Sequence, residues 1–191
     1  MSHDLLQDSR FQASLTLIDR GLTEKVRQGG CPACDGVLHT ANYPRKPRGL
    51  AELAVDSDWA QRLSLCCGRD GCRKRATPPS VRFAGRLVYV GLAFVWACAS
   101  IGKRVSVADL EEVREAIGVS ARTMGRWIAW WRRILVQGTW WPAARARFLP
   151  PVDETLLPAS LLERFCLPDR GPMEMLLHYM APLSTRSVHI V

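Results

Sequence analysis

Two groups of cysteines constrain this chain more than any other feature. Cys31-Pro-Ala-Cys34 runs into Asp35-Gly36, and further along comes Cys66-Cys67-Gly-Arg-Asp-Gly-Cys72. Each group reads as a knuckle, a tight glycine-bearing turn that sends two sulfurs to one side while backbone amides point at a thiolate. Two knuckles brought together give tetrahedral all-sulfur coordination, the closed arrangement of a structural zinc site. The expected ligands are Cys31, Cys34, Cys67 and Cys72, with Zn2+ as the cofactor. Cys66 competes with Cys67, because neighbouring strand residues face opposite ways and only one can point at the ion. The turn Gly68-Arg69-Asp70-Gly71 sits directly after Cys67 and favours it, with His39 a weaker substitute. Cys98 and Cys166 read as ordinary thiols, and the CxxC spacing lacks the βαβ context of a redox motif.

Residues 1 to 20 contain Asp4, Asp8 and Asp19 and no continuous apolar stretch, so no secretory signal is expected. A cytoplasmic location follows, where thiols stay reduced and a disulfide framework is disfavoured. Leu87 to Ile101 is uncharged but falls short of the roughly 18 to 20 residues that cross a bilayer, so it reads as a core helix and no membrane partner is expected.

Charge is distributed unevenly. Residues 31 to 147 carry 19 basic and 9 acidic side chains, while both ends are neutral or acidic. A one-signed field over a short stretch attracts a polyanion. Arg45, Lys46 and Arg48 alternate with prolines in a stiff extended segment, and Arg73-Lys74-Arg75 follows the second knuckle. Both clusters are candidates for phosphate contacts.

Beyond the cysteines the apolar period becomes helical. Leu110, Val113 and Ile117 mark one helix, Gly118-Val119-Ser120 a tight turn with a Ser cap, and a second helix begins at Ser120. On that helix Met124, Ile128, Trp131 and Leu135 form one stripe, opposite Arg122, Arg126, Ala129 and Arg133. This is the pattern of a helix-turn-helix, whose second helix enters the major groove. Arg122, Thr123 and Arg126 are the expected base or near-base contacts, and Arg133 a phosphate contact.

Gly118-Val-Ser-Ala-Arg-Thr-Met-Gly-Arg-Trp127 resembles the turn and recognition helix of transposase and resolvase-type DNA-binding domains. With a CPxC-type ribbon ahead of it, the stretch from Cys31 to about Leu135 looks like the DNA-binding front part, or a small accessory protein, of bacterial insertion sequences. The resemblance implies cytoplasmic, sequence-directed DNA binding for a mobile element or its promoter. The spacing between the knuckles is longer than in the shortest ribbons of this kind.

Only 44 residues follow Arg147, too few for the carboxylate-bearing α/β sheet of a DNA-cutting domain, so no catalysis is expected. Trp127, Trp130, Trp131, Trp140 and Trp141 lie close together. Core packing suits Trp127 and Trp131, whereas Trp130, Trp140 and Trp141 are open between intramolecular packing, a partner or dimer surface for a transposase or another protein, and stacking on bases. In the Pro-rich C-terminal segment, short apolar helices near 156–165 and 173–180 either fold back on the body or dock on another protein. At the other end, Phe11, Leu15, Ile18 and Leu22 predict a helix that packs on the ribbon.

The expected fold is mainly α with a small β zinc ribbon, an α+β arrangement. It comprises an N-terminal helix in residues 1–30, a zinc ribbon in 31–84, a helix-turn-helix domain in 85–147 and a C-terminal segment in 148–191. The expected function is a non-catalytic, zinc-stabilised protein that binds double-stranded DNA as accessory or regulator of a bacterial mobile element. Alternatives are a transcription regulator, a protein-binding adaptor with structural zinc, and the DNA-binding part of a split or truncated transposase. RNA remains an open alternative to DNA, since basic ribbons serve both polymers.

Overall fold

The structure is a computed structural model that describes residues 8–46, 58–83, 91–101, 107–165 and 171–185. Its described part is mainly helical, with two small antiparallel sheets beside a cluster of four cysteines. Helix α1 spans Ser9–Gln28, and the Asp8 carboxylate caps it by accepting from the amides of Arg10 and Phe11. Five short strands follow: β1 (Leu38–Thr40), β2 (Tyr43–Pro44), β3 (Gln61–Arg62), β4 (Leu65–Cys67) and β5 (Arg75–Ala76). One sheet has the order β1-β4-β5, and β2 pairs with β3 in the other.

The helical body begins with α2 (Gly91–Ile101), whose residues 93 to 99 are all buried. A helix apolar on every side must be surrounded, and α2 is. It packs against α3 (Val107–Ile117), α4 (Ala121–Ala129), α6 (Ala159–Leu162) and α7 (Pro172–Met180). Between α4 and α6 lie a π-helical stretch, Trp130–Leu135, and the short helix α5 (Trp141–Arg145). Among the described residues no helix is long and apolar enough to cross a membrane.

Phe94 of α2 organises the core. Its ring centroid lies 5.4 Å from Trp127, 5.3 Å from Trp130 and 5.4 Å from Trp131. Of the alternatives for the tryptophan-rich segment this favours intramolecular packing, because Trp130 and Trp131 are both fully buried. The π-helical stretch starts at Trp130, and its wider turn lowers the rotation per residue, so two adjacent indoles share the inward side. Trp141 is also buried, and half-buried Trp140 lies 5.2 Å from the Tyr179 ring. Trp127, Trp130, Trp131 and Trp141 are thus interior packing, and Trp140 is partly so.

Leu157, Leu161, Phe165, Met173, Leu176, Leu177 and Leu183 join the same core as α2 and α4. The C-terminal segment therefore completes the helical body. The N-terminal helix packs on both parts. Leu15, with Phe11, Ile18 and Leu22, packs on the helical core, Asp19 in the middle of the helix meets residues 80–82, and the last turn meets the cysteine cluster. There Val26 packs against the cysteine cluster, and the Arg27 guanidinium donates to Leu38 O (3.1 Å) and Thr40 Oγ1 (2.9 Å).

The two parts are joined by a buried ion pair. Arg82 Nε donates to Asp19 Oδ2 at 2.8 Å, with side-chain exposures of 0% and 1%. The same carboxylate accepts from Ser80 Oγ (2.6 Å) and the Val81 amide (2.7 Å). The remaining guanidinium nitrogens of Arg82 donate to the carbonyls of Asp58, Trp59 and Gln61. Nearly every hydrogen-bonding position of the pair is thus filled, which a charge excluded from water requires.

Candidate metal centre and cationic surface

Local chain geometry builds the cysteine cluster. Leu38 pairs with Cys67, and His39 with Cys66. Alternation along β4 therefore turns Leu65 and Cys67 toward the small core formed with Cys31, Leu38 and Ala76. Cys66 faces the other way, where its thiol lies 3.3 Å from Arg73 O. His39 shares that outward face and does not join the cluster.

The knuckles are alike in backbone shape. The residue after each final cysteine is left-handed, with φ of 55° at Asp35 and 46° at Arg73. This reversal turns the next amide back toward the preceding sulfur. Amides of Gly36, Arg69 and Lys74 accordingly donate to the sulfurs of Cys34, Cys67 and Cys72. Gly36 has a second role, since a Cβ there would lie 3.1 Å from Cys67 Sγ and 3.3 Å from Cys34 Sγ.

The ligand atoms of Cys31, Cys34, Cys67 and Cys72 lie within 4.8 Å of one another. Cys31 Sγ is 3.7 Å from Cys72 Sγ, and Cys34 Sγ is 3.5 Å from Cys67 Sγ. These are too long for disulfides, whose sulfurs sit about 2.05 Å apart. They match the edges of a tetrahedron of sulfurs around one ion, roughly 3.8 Å for metal–sulfur bonds of about 2.3 Å. The donor set is soft and thiolate-only, which suits a tetrahedral metal ion.

Electrostatics also call for a cation. The Cys34 thiol is lowered to about 7, first by the Gly36 amide and then by the neighbouring Cys72 thiol. At Cys67 the Arg69 amide lowers the pKa, but burial and the surrounding thiols outweigh it and push it up to about 12. Clustered sulfurs cannot all ionise without a positive ion between them.

The cationic residues fall into three situations. Arg122, Arg126 and Arg133 are exposed and have no ion pair among the described residues. They lie on the side of α4 and the π-helical stretch away from buried Met124, Trp127, Trp131 and Leu135. Thr123 departs from its expected role. It is 7% exposed, its amide donates to Ser120 Oγ, and its hydroxyl lies 3.1 Å from that oxygen. It belongs to the helix cap and cannot reach a base edge.

Around the sheets, Arg45 and Arg75 flank the Tyr43 ring, with guanidinium carbons 5.1 and 5.4 Å from its centroid. Lys46 and Lys74 are exposed, and Arg73 pairs with Asp70 at 2.8 Å. Arg48, like Cys166, lies outside the described residues.

The sequence pattern assigns no role to four residues that link distant segments: Asp19, Arg62, Arg69 and Arg82. Asp19 did leave a signal, because a carboxylate falls inside the apolar stripe of Leu15, Ile18 and Leu22. Arg82 stands between Val81 and Phe83 in the same telling way. Arg69, whose Nη1 reaches Cys34 O at 3.1 Å and ties the knuckles together, left none. Comparisons with protein-family models, curated proteins and solved structures find no match to this chain.

Proposed function

We propose that the protein is a zinc-stabilised module that binds double-stranded DNA without cutting it, serving as accessory or regulator of a bacterial mobile element. The four sulfurs would hold Zn2+ in a closed shell, which leaves no position for a reactive water and gives the ion a structural role.

The observation that carries DNA binding is the solvent face of α4, where Arg122 and Arg126 stand exposed with no carboxylate partner among the described residues. The turn before it supports a helix-turn-helix reading. Gly118 is left-handed at φ 60°, and Ser120 caps α4 from an extended conformation. In this reading Arg122 and Arg126 reach base edges, while Arg133 and the basic residues around the sheets meet phosphates. The mobile-element setting rests on the resemblance of Gly118 to Trp127. Burial of the indoles removes the support for an adaptor acting through that segment.

The test is DNA binding by the zinc-loaded protein across a salt series, using selection from a random duplex pool. Wild type is expected to show a steep salt slope and a preferred site. Arg122→Ala with Arg126→Ala should lose that preference, at about 1 to 3 kcal/mol per base contact, while keeping much of the salt-dependent affinity. Unchanged site preference in that variant would reject the assignment of α4.

A further inference from the structure

Among the described residues, Arg62 is a buried cation without a counter-ion. It lies on β3 opposite Tyr43 of β2 and is 3% exposed. Its Nη2 donates to Pro78 O at 2.6 Å, but Nη1 is buried without a hydrogen-bond partner. No described carboxylate pairs with it. Asp19 is the carboxylate whose charge it feels, and that group is already engaged by Arg82, Ser80 and Val81. Burial lowers the Arg62 pKa from its ordinary value, and the charges of Arg82 and Arg45 add to that. A buried charge left in this state is strongly unfavourable unless something negative completes it.

The space beside it is shaped for such a group. Arg62 lines an open pocket of about 580 Å³ together with Tyr43, Arg45, Arg75, Thr77 and Thr185. No acidic side chain contributes to this lining. Arg75 is held in place by donation from Nη1 to Ala41 O (2.7 Å) and Ser64 Oγ (3.0 Å). Arg45 Nη2 donates to the Tyr43 hydroxyl at 3.3 Å, which leaves the phenol proton to donate in turn.

We propose that Arg45, Arg62 and Arg75, with Tyr43, form a binding pocket for a phosphate group. Three guanidiniums and hydroxyl donors suit a compact oxyanion with several acceptor oxygens, and a guanidinium fork matches phosphate geometry. Arg62 supplies the buried positive charge, and the half-exposed rim admits the ligand. The phosphate belongs either to a nucleic-acid backbone or to a small phosphorylated compound, and the chemistry of the pocket is the same for both. The site uses none of the α4 arginines and stands apart from the proposed reading of base edges.

The experiment uses the full, zinc-loaded chain with inorganic phosphate as the probe and chloride at equal ionic strength as the control. Phosphate is expected to raise the Tm of wild type and to titrate as a single site by calorimetry, with no such response to chloride. Arg62→Met should abolish the response. Arg75→Gln, a change at an exposed position, should weaken phosphate binding about tenfold while the chain stays folded. A short DNA duplex then separates the sources. Competition with phosphate places a backbone phosphate in the pocket, and its absence points to a small phosphorylated ligand. Arg122→Ala with Arg126→Ala leaves the phosphate titration unaltered, so failure of the duplex reading is distinguishable from failure of this one. A wild-type Tm indifferent to phosphate, or equal phosphate binding in wild type and Arg75→Gln, overturns the proposal.

Discussion

At the scale of single residues, neighbouring side chains with the same chemistry take opposite fates. Cys66 and Cys67 differ by one position, and strand alternation puts one thiol beside Arg73 O and the other among three sulfurs. Cys66→Ser is therefore expected to keep one bound metal per chain by elemental analysis, whereas Cys67→Ser loses it. The loss should carry a large share of the ribbon's stability, since apparent zinc binding energies in small sulfur sites reach about 10 to 16 kcal/mol. Equal metal content in the two variants would refute the assigned register. Thr123 gives a similar lesson. It lies between exposed Arg122 and buried Met124, yet the cap at Ser120 draws its hydroxyl inward.

At the scale of elements, short segments are held by polar clamps more than by their own helix-forming tendency. Helix α5 is five residues long, too short to persist alone, and the 3-10 turn Glu154–Leu156 is shorter still. Glu154 Oε1 joins them by accepting from Trp141 Nε1 and Arg145 Nη1, each at 2.7 Å. The indole donor first, and the guanidinium second, hold the Glu154 carboxyl below its ordinary 4.5. A depressed carboxyl stabilises the fold above its unfolded pKa and loses that contribution as pH falls through the folded value. Acid should therefore weaken wild type at this point as pH falls below about 4.5. Glu154→Gln keeps an acceptor for the indole and should flatten this part of the stability profile between pH 5 and pH 3. Parallel denaturation profiles for the two proteins would count against the clamp.

At the scale of the whole molecule, a buried ion pair joins the strand-bearing part to the helical body. Asp19 comes from α1, while Arg82 follows the last strand and reaches back to the carbonyls of Asp58, Trp59 and Gln61. Removing either partner alone leaves a buried charge uncompensated, at about 3 to 5 kcal/mol. Asp19→Leu combined with Arg82→Met removes both charges and should lose clearly less than the sum of the single changes. Urea denaturation of wild type, both single variants and the double variant measures this coupling. Additive losses would show that the two groups act independently. The C-terminal segment also reaches this joint, where Ser184 Oγ accepts from the Ser80 amide at 2.8 Å.

Much of this protein could be read from local chemistry. The knuckles, the preference for Cys67, the cap at Ser120, the reversal at Gly118 and the apolar central helix all follow from short-range rules of turns, alternation and helical period. Such features depend on neighbours within about one turn, so residue order suffices to reveal them. The joint of Asp19 with Arg82, the lone buried charge of Arg62, the inward Trp130 and the docking of the C-terminal helices depend on groups distant along the chain. Their environments exist only once the chain has folded, because desolvation and charge pairing are properties of what surrounds a side chain in space.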